Sequence, residues 1–287
     1  MLPIVAGILT ALAFAVSTLS SARASRLAGA APTVAGVMLV GAVLVLPFVV
    51  AVTPLPAVPP GTLVLATLAG AANVGGLLLA YAAYRVGAVG IVSTIASTEG
   101  AIAAVISVLA GQTLAPGSGP ALAVVAFGVM LAASGGGREL EEGVVVGRAR
   151  SLRAAGLAAG AACLFGLGLF TTGHVSESLP AAWIIFPGRL VGIVAVGIPL
   201  VVLGRVRVPR AALPFILLTG FVEVIGFAAF TAGARADIAL TSVLASMFAP
   251  LAAVAAFVLF RERLARRQIA GIAFVVVGIA ILGVLAA

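Results

Sequence analysis

Four polar side chains sit where an apolar chain gives them no water. Glu223 lies near the middle of the apolar segment 211–234, Glu99 near the middle of 90–110 and Asn73 near the middle of 62–84. Arg189 lies about 9 Å inside the segment 182–203, at 1.5 Å of rise per helical residue. A charge at the centre of a bilayer costs at least about 2.5–3.5 kcal/mol on insertion scales, so each group must face a bundle interior or a wet cavity. Glu223 is the first candidate for substrate binding or proton exchange, and Glu99 the second. Either could instead be a carboxyl that only packs helices or bonds a neighbouring backbone. The planar fork of Arg189 fits a carboxylate ligand. It could equally pair with Glu223 or Glu99, or snorkel outward. Asn73 is a substrate contact or an interhelical hydrogen bond. Tyr81, Tyr84 and Trp183 read as belt residues at the membrane interface. His174 reads as a loop neighbour of Glu177, and a lone histidine makes no metal site. No metal and no cofactor are expected.

The elements that must position these groups are membrane helices. The chain is 63% hydrophobic and only 8% charged, against roughly 25% charged residues in a soluble domain. Mean hydropathy is +1.33. So little polar surface cannot coat a fold against water, and lipid is the expected solvent. Ten apolar segments can be marked, at 2–21, 33–52, 62–84, 90–110, 119–134, 153–173, 182–203, 211–234, 238–260 and 268–286. They are too long for barrel strands and show no alternation of apolar and polar positions. The fold class read from this is all-α and integral to the membrane, with ten transmembrane helices.

The chain also repeats itself. Moved forward by 150 positions, Gly70, Gly76 and Arg85 fall on Gly220, Gly226 and Arg235, and Asn73 falls on Glu223. At a shift of 149, Ala96-Ser97 falls on Ala245-Ser246; at 152, Gly36 and Pro47 fall on Gly188 and Pro199. A near-constant shift across so much of the chain divides it into a first five-helix repeat (1–135), a charged linker (136–151) and a second repeat (152–287).

Charge placement orients the two copies. All the basic residues are arginine, and fourteen of the sixteen fall in the odd-numbered loops or at their edges. These read as topology signals, not as a nucleic-acid surface, and they make the odd loops cytoplasmic and both termini external. Matching loops carry opposite character: the second is uncharged where the seventh holds Arg205, Arg207 and Arg210. Five helices per copy turn the second copy upside down, which that exchange requires. Inverted repeats of this kind are a mark of secondary transporters, with the site at mid-membrane where the repeats meet.

The run Ser246-Met247-Phe248-Ala249-Pro250-Leu251, then Phe260-Arg261-Glu262-Arg263-Leu264 and Gln268-Ile269-Ala270-Gly271, resembles the end of an EamA-type domain of the drug/metabolite transporter superfamily. The first-half copy is fainter: Ser97 to Ala101 lacks the proline, and Gly111-Gln112-Thr113-Leu114 stands at the turn. The resemblance implies a ten-helix carrier of metabolites such as amino acids, often working outward, in the inner (cytoplasmic) membrane. The expected cavity is lined by segments one, three, four, six, eight and nine.

The expected function is therefore secondary transport of a small organic metabolite by alternating access, with protons as a candidate coupling ion. No glycine-rich nucleotide loop is present to power it. The rival within transport is an exporter of drugs or cationic compounds, disfavoured by an aromatic content of 6% unless those few rings converge. A membrane enzyme and a non-transporting scaffold are weaker, since one histidine and one cysteine offer little chemistry. The expected partners are the solute and membrane lipid, with no nucleic acid; a homodimer is left open.

Overall fold

The computed structural model describes residues 1–52, 57–87, 89–113, 117–133, 148–251 and 266–285. Most of the charged linker and the turn Arg261-Glu262-Arg263 lie outside the described residues. The fold is all-helical, with no strand among the described residues. Six helices are long and apolar enough to cross a membrane, and four shorter apolar helices occupy the other four predicted segments. The exterior suits lipid: Val43, Val50, Leu109, Val202, Leu217 and Val276 are each more than half exposed. Hydroxyls are turned inward instead, and Thr10, Ser21, Ser25 and Thr219 are buried.

Helix α1 (Leu2–Ala28) runs about two turns past its predicted end. Nothing in Ser20-Ser21-Ala22-Arg23-Ala24-Ser25-Arg26 breaks a helix, and Ser20 and Ser25 return their hydroxyls to Val16 O (2.7 Å) and Ala22 O (3.2 Å). Arg23 and Arg26 therefore lie on α1 and not in a loop, a correction to the sequence reading. The chain turns at Gly29, whose φ of 95° favours glycine, and enters α2 (Ala30–Pro47). Pro47 cannot donate to the helix ladder, and a wider π-helical turn, Phe48–Val52, follows it. Helix α3 (Pro60–Val86) starts on a proline, where the missing N–H costs nothing.

The fourth predicted segment is two helices, α4 (Val89–Ala96) and α5 (Glu99–Leu109), separated at Ser97-Thr98. The Thr98 hydroxyl takes up Ile95 O at 2.8 Å, which helps to satisfy the broken ladder. Helix α6 (Ser118–Ala133) closes the first half. In the second half come α7 (Arg148–Ser176), α8 (Ala181–Gly192) and, after another π-helical turn ahead of Pro199, α9 (Ile198–Val202). Arg148, Arg150 and Arg153 therefore begin α7, and His174 lies in its last turn, stacked on Phe170. Helices α10 (Leu213–Ala234), α11 (Ile238–Ala245) and α12 (Arg266–Leu285) follow. The chain is helical again from 248 to 251, so the ninth segment breaks at Ser246-Met247. Ser246 donates to Val243 O at 2.7 Å there.

Packing mixes the two halves. Helix α1 lies along α10, α3 along α7, α6 along α12, and α5 along α11. Further contacts join α3 to α8, α2 to α10, α5 to α7 and α1 to α11. Small residues permit the closest crossings. A Cβ at Gly70 of α3 would collide with the Gly188 backbone of α8, and one at Gly100 with Ser242 O and the Ser246 side chain. The second collision sets the two helix breaks against each other.

Candidate functional site

Glu223 of α10 and Arg189 of α8 form a buried ion pair. Arg189 Nη1 donates to Glu223 Oε2 at 2.8 Å, with the two side chains 2% and 4% exposed. The pair is held from several sides. Tyr81 of α3 donates to Glu223 Oε1 at 3.3 Å, and Ser17 of α1 does so at 3.5 Å. The guanidinium meets Met38 Sδ at 3.6 Å and stands 5.8 Å from the Phe227 ring centroid. Gly41 of α2 makes room for it, since a Cβ there would come within 2.7 Å of Arg189 Nε. Of the alternatives open to Arg189, the structure takes pairing with Glu223. Its Nη2 is buried and has no hydrogen-bond partner among the described residues.

These groups border a central cavity of about 70 Å³. Residues of α1, α3, the α4–α5 break, α7, α10 and the ninth segment line it, which are the six segments expected from the family resemblance. Glu99, 4% exposed, opens onto it from the first position of α5. Among the described residues its carboxyl has no hydrogen bond and no salt bridge. Asn73 lines the cavity and also a recess of about 20 Å³ that it shares with Arg189 and Gly188. The structure thus brings Glu223, Glu99 and Asn73 to one cavity and sets Arg189 behind Glu223, at the recess. Phe248, on which Glu99 falls at the sequence shift of 149, lines the same cavity. A larger groove of about 600 Å³ between α2, α9 and α10 is walled by residues such as Leu39, Val201 and Leu217 and offers no chemistry.

The sequence reading missed the tyrosines. Tyr81 and Tyr84 are buried, stack at 6.4 Å and line the cavity; they are not belt residues. Their three-residue spacing puts them on one helix face but does not say which way that face points. Ser17, Thr18 and Ser21 of α1 were missed too, although a hydroxyl run inside an apolar helix is itself unusual.

Both ends of the bundle carry polar ties. At one end Arg235 donates to Ser176 O (2.7 Å) and Leu179 O (3.0 Å), and Gln112 donates to Asp237 at 2.9 Å. At the other, Arg26 donates to Tyr84 O at 3.1 Å and Gly87 O at 3.5 Å.

Residues 152–284 match the model of the EamA-like transporter family. This family is part of the drug/metabolite transporter superfamily, and the match covers the second half of the chain; with the apolar helices it makes the protein a multi-pass membrane protein. A crystal structure of a protein aligns with 99% of this chain and 97% of its own at a TM-score of 0.72 and 15% identity, which carries the likeness of fold across both halves. No curated protein sequence matches at a significant level.

Proposed function

We propose that the protein is a secondary transporter that moves a small organic solute across the cytoplasmic membrane by alternating access, with the central cavity as its binding site. The observation that carries this reading is the convergence of Glu223, Glu99 and Asn73, from three separate segments, on one cavity. A structural role for each alone would not require a shared cavity.

Two inverted five-helix repeats are the proposed frame. Exchanging each segment for its counterpart turns the α1–α10 contact into α7–α3, α5–α7 into α11–α1, and α3–α8 into α10–α2. The α5–α11 and α6–α12 contacts map onto themselves. This two-fold pattern supports the repeat, and the matched breaks at Ser97-Thr98 and Ser246-Met247 support it independently. Broken helices at mid-membrane are where transporters place their sites. The few polar ties at each end suit gates that open in turn. Glu99 and Glu223 are the carboxyls that would exchange protons with a gradient, and the odd loops are the proposed cytoplasmic face.

Counterflow of radiolabelled solutes, amino acids included, into proteoliposomes tests the reading. Saturable counterflow above protein-free vesicles is expected for at least one solute, with a pH gradient driving its accumulation. Absence of flux across the panel would overturn transport. Undiminished pH-driven uptake by the Glu99→Gln/Glu223→Gln variant would overturn proton coupling through these residues.

A further inference from the structure

Resting on that reading, we infer that the solute is a compact organic cation, an amine or quaternary ammonium, and that Glu99 is its counter-ion. The charge inventory of the cavity carries this. Glu223 already has its cation, Arg189 at 2.8 Å. Glu99 is buried at 4% exposure, opens onto the cavity, and has no salt bridge or hydrogen bond among the described residues. The other titratable groups on the wall are Tyr81, Tyr84 and Glu223, and none of them can be positive. An ionised Glu99 therefore leaves the cavity one negative charge in excess, in a place where an unpaired charge is costly. A bound cation removes that excess.

The aromatic lining points the same way. Phe14, Tyr81, Tyr84, Phe165, Phe227 and Phe248 all line this space. Both tyrosines of the chain and four of its fourteen phenylalanines are thus gathered at one site. Ring faces attract cations, quaternary ammonium groups above all. The low overall aromatic content is offset by convergence. A solute bearing only a carboxylate would meet Glu99 without a free cation on the cavity wall. The rival is a zwitterion that lays its carboxylate against Nη2 of Arg189 in the recess, an atom with no hydrogen-bond partner among the described residues.

Titration calorimetry on the full chain in nanodiscs separates these. Choline and benzyltrimethylammonium are the probe cations. 3,3-Dimethylbutan-1-ol is the neutral match to choline, 3,3-dimethylbutanoate is an anion of similar shape, and glycine betaine is the zwitterion. At least one cation is expected to bind. Choline is expected to bind about tenfold or more tighter than the alcohol, the anion and betaine. Glu99→Gln should erase the advantage of the cation and Glu99→Asp should keep part of it. Failure of both cations to bind overturns the inference, as does equal binding of the alcohol, tighter binding of betaine, or a Glu99→Gln variant that binds choline unchanged. The wild-type comparison decides even where Glu99→Gln does not fold. Cation binding without counterflow of any solute would sink the transport reading and leave this one; counterflow of other solutes without cation binding would do the reverse.

Discussion

Separating Arg189 from Glu223 should be the most costly single polar change in the membrane interior. At 2.8 Å, two unit charges attract by about 6 kcal/mol at an effective dielectric of about 20. Desolvation offsets much of that gain, so the relevant quantity is the cost of removing one partner, about 3–5 kcal/mol for a buried pair. Interhelical hydrogen bonds in membranes average only about 0.6 kcal/mol, so the effect stands clear of ordinary polar contacts. The two deletions are not equivalent. Arg189→Gln leaves a carboxyl that can neutralise itself with a proton, whereas Glu223→Gln leaves a guanidinium that cannot shed its own. Glu223→Gln should therefore lie near the top of the range and Arg189→Gln below it. The double variant should be less destabilised than the sum of the two by about 2 kcal/mol or more, the signature of direct coupling. Reversible unfolding in SDS, followed by the fluorescence of the single tryptophan, Trp183, measures all three. Single losses below about 1 kcal/mol, or an additive double variant, would rule out a coupled buried pair.

Other expectations concern packing, the pair's support and orientation. Gly70→Leu drives a side chain into the Gly188 backbone and should prevent α3 and α8 from closing, read as loss of a monodisperse peak in size exclusion, while Gly61→Ala, where a Cβ meets nothing, should leave the peak unchanged. Tyr81→Phe removes the 3.3 Å interhelical hydrogen bond to Glu223 and should lower stability by about 0.6 kcal/mol in the same SDS titration, well short of the loss expected of a broken ion pair. A reporter fused to the C-terminus should be active outside the cytoplasm if the odd loops are inside; activity in the cytoplasm would reverse the orientation.

The membrane class and the polar candidates were legible because a charge in an apolar run has few places to go. Glu223, Glu99 and Asn73 stood out by chemistry alone and meet at one cavity. What each residue faces was not legible. Helices that are apolar on every side give no periodic signal for a buried face, so Tyr81 and Tyr84 passed for interface residues and the choice of partner for Arg189 stayed open. The break at Ser97-Thr98 was hidden for a different reason. No proline marks it, and the interruption is accommodated by the Thr98 hydroxyl and by packing against the second broken segment through Gly100. Conversely, the charges of Arg23 and Arg26 suggest a loop, but nothing before Gly29 stops the helix and α1 runs on to Ala28.

Alternating access requires the cavity to open to each face of the membrane in turn, which a single thiol on its wall can report. Cys163 is the only cysteine, so a Cys163→Ser background carrying Thr18→Cys places one thiol on the cavity wall. Labelling with a membrane-impermeant thiol reagent, applied to one side of oriented vesicles at a time, reads access from each face. Cys at position 18 should react from both sides, and locking the end of the bundle tied by Gln112 and Asp237 with a crosslink should abolish labelling from that side alone. Reaction from a single side under every condition would contradict alternating access.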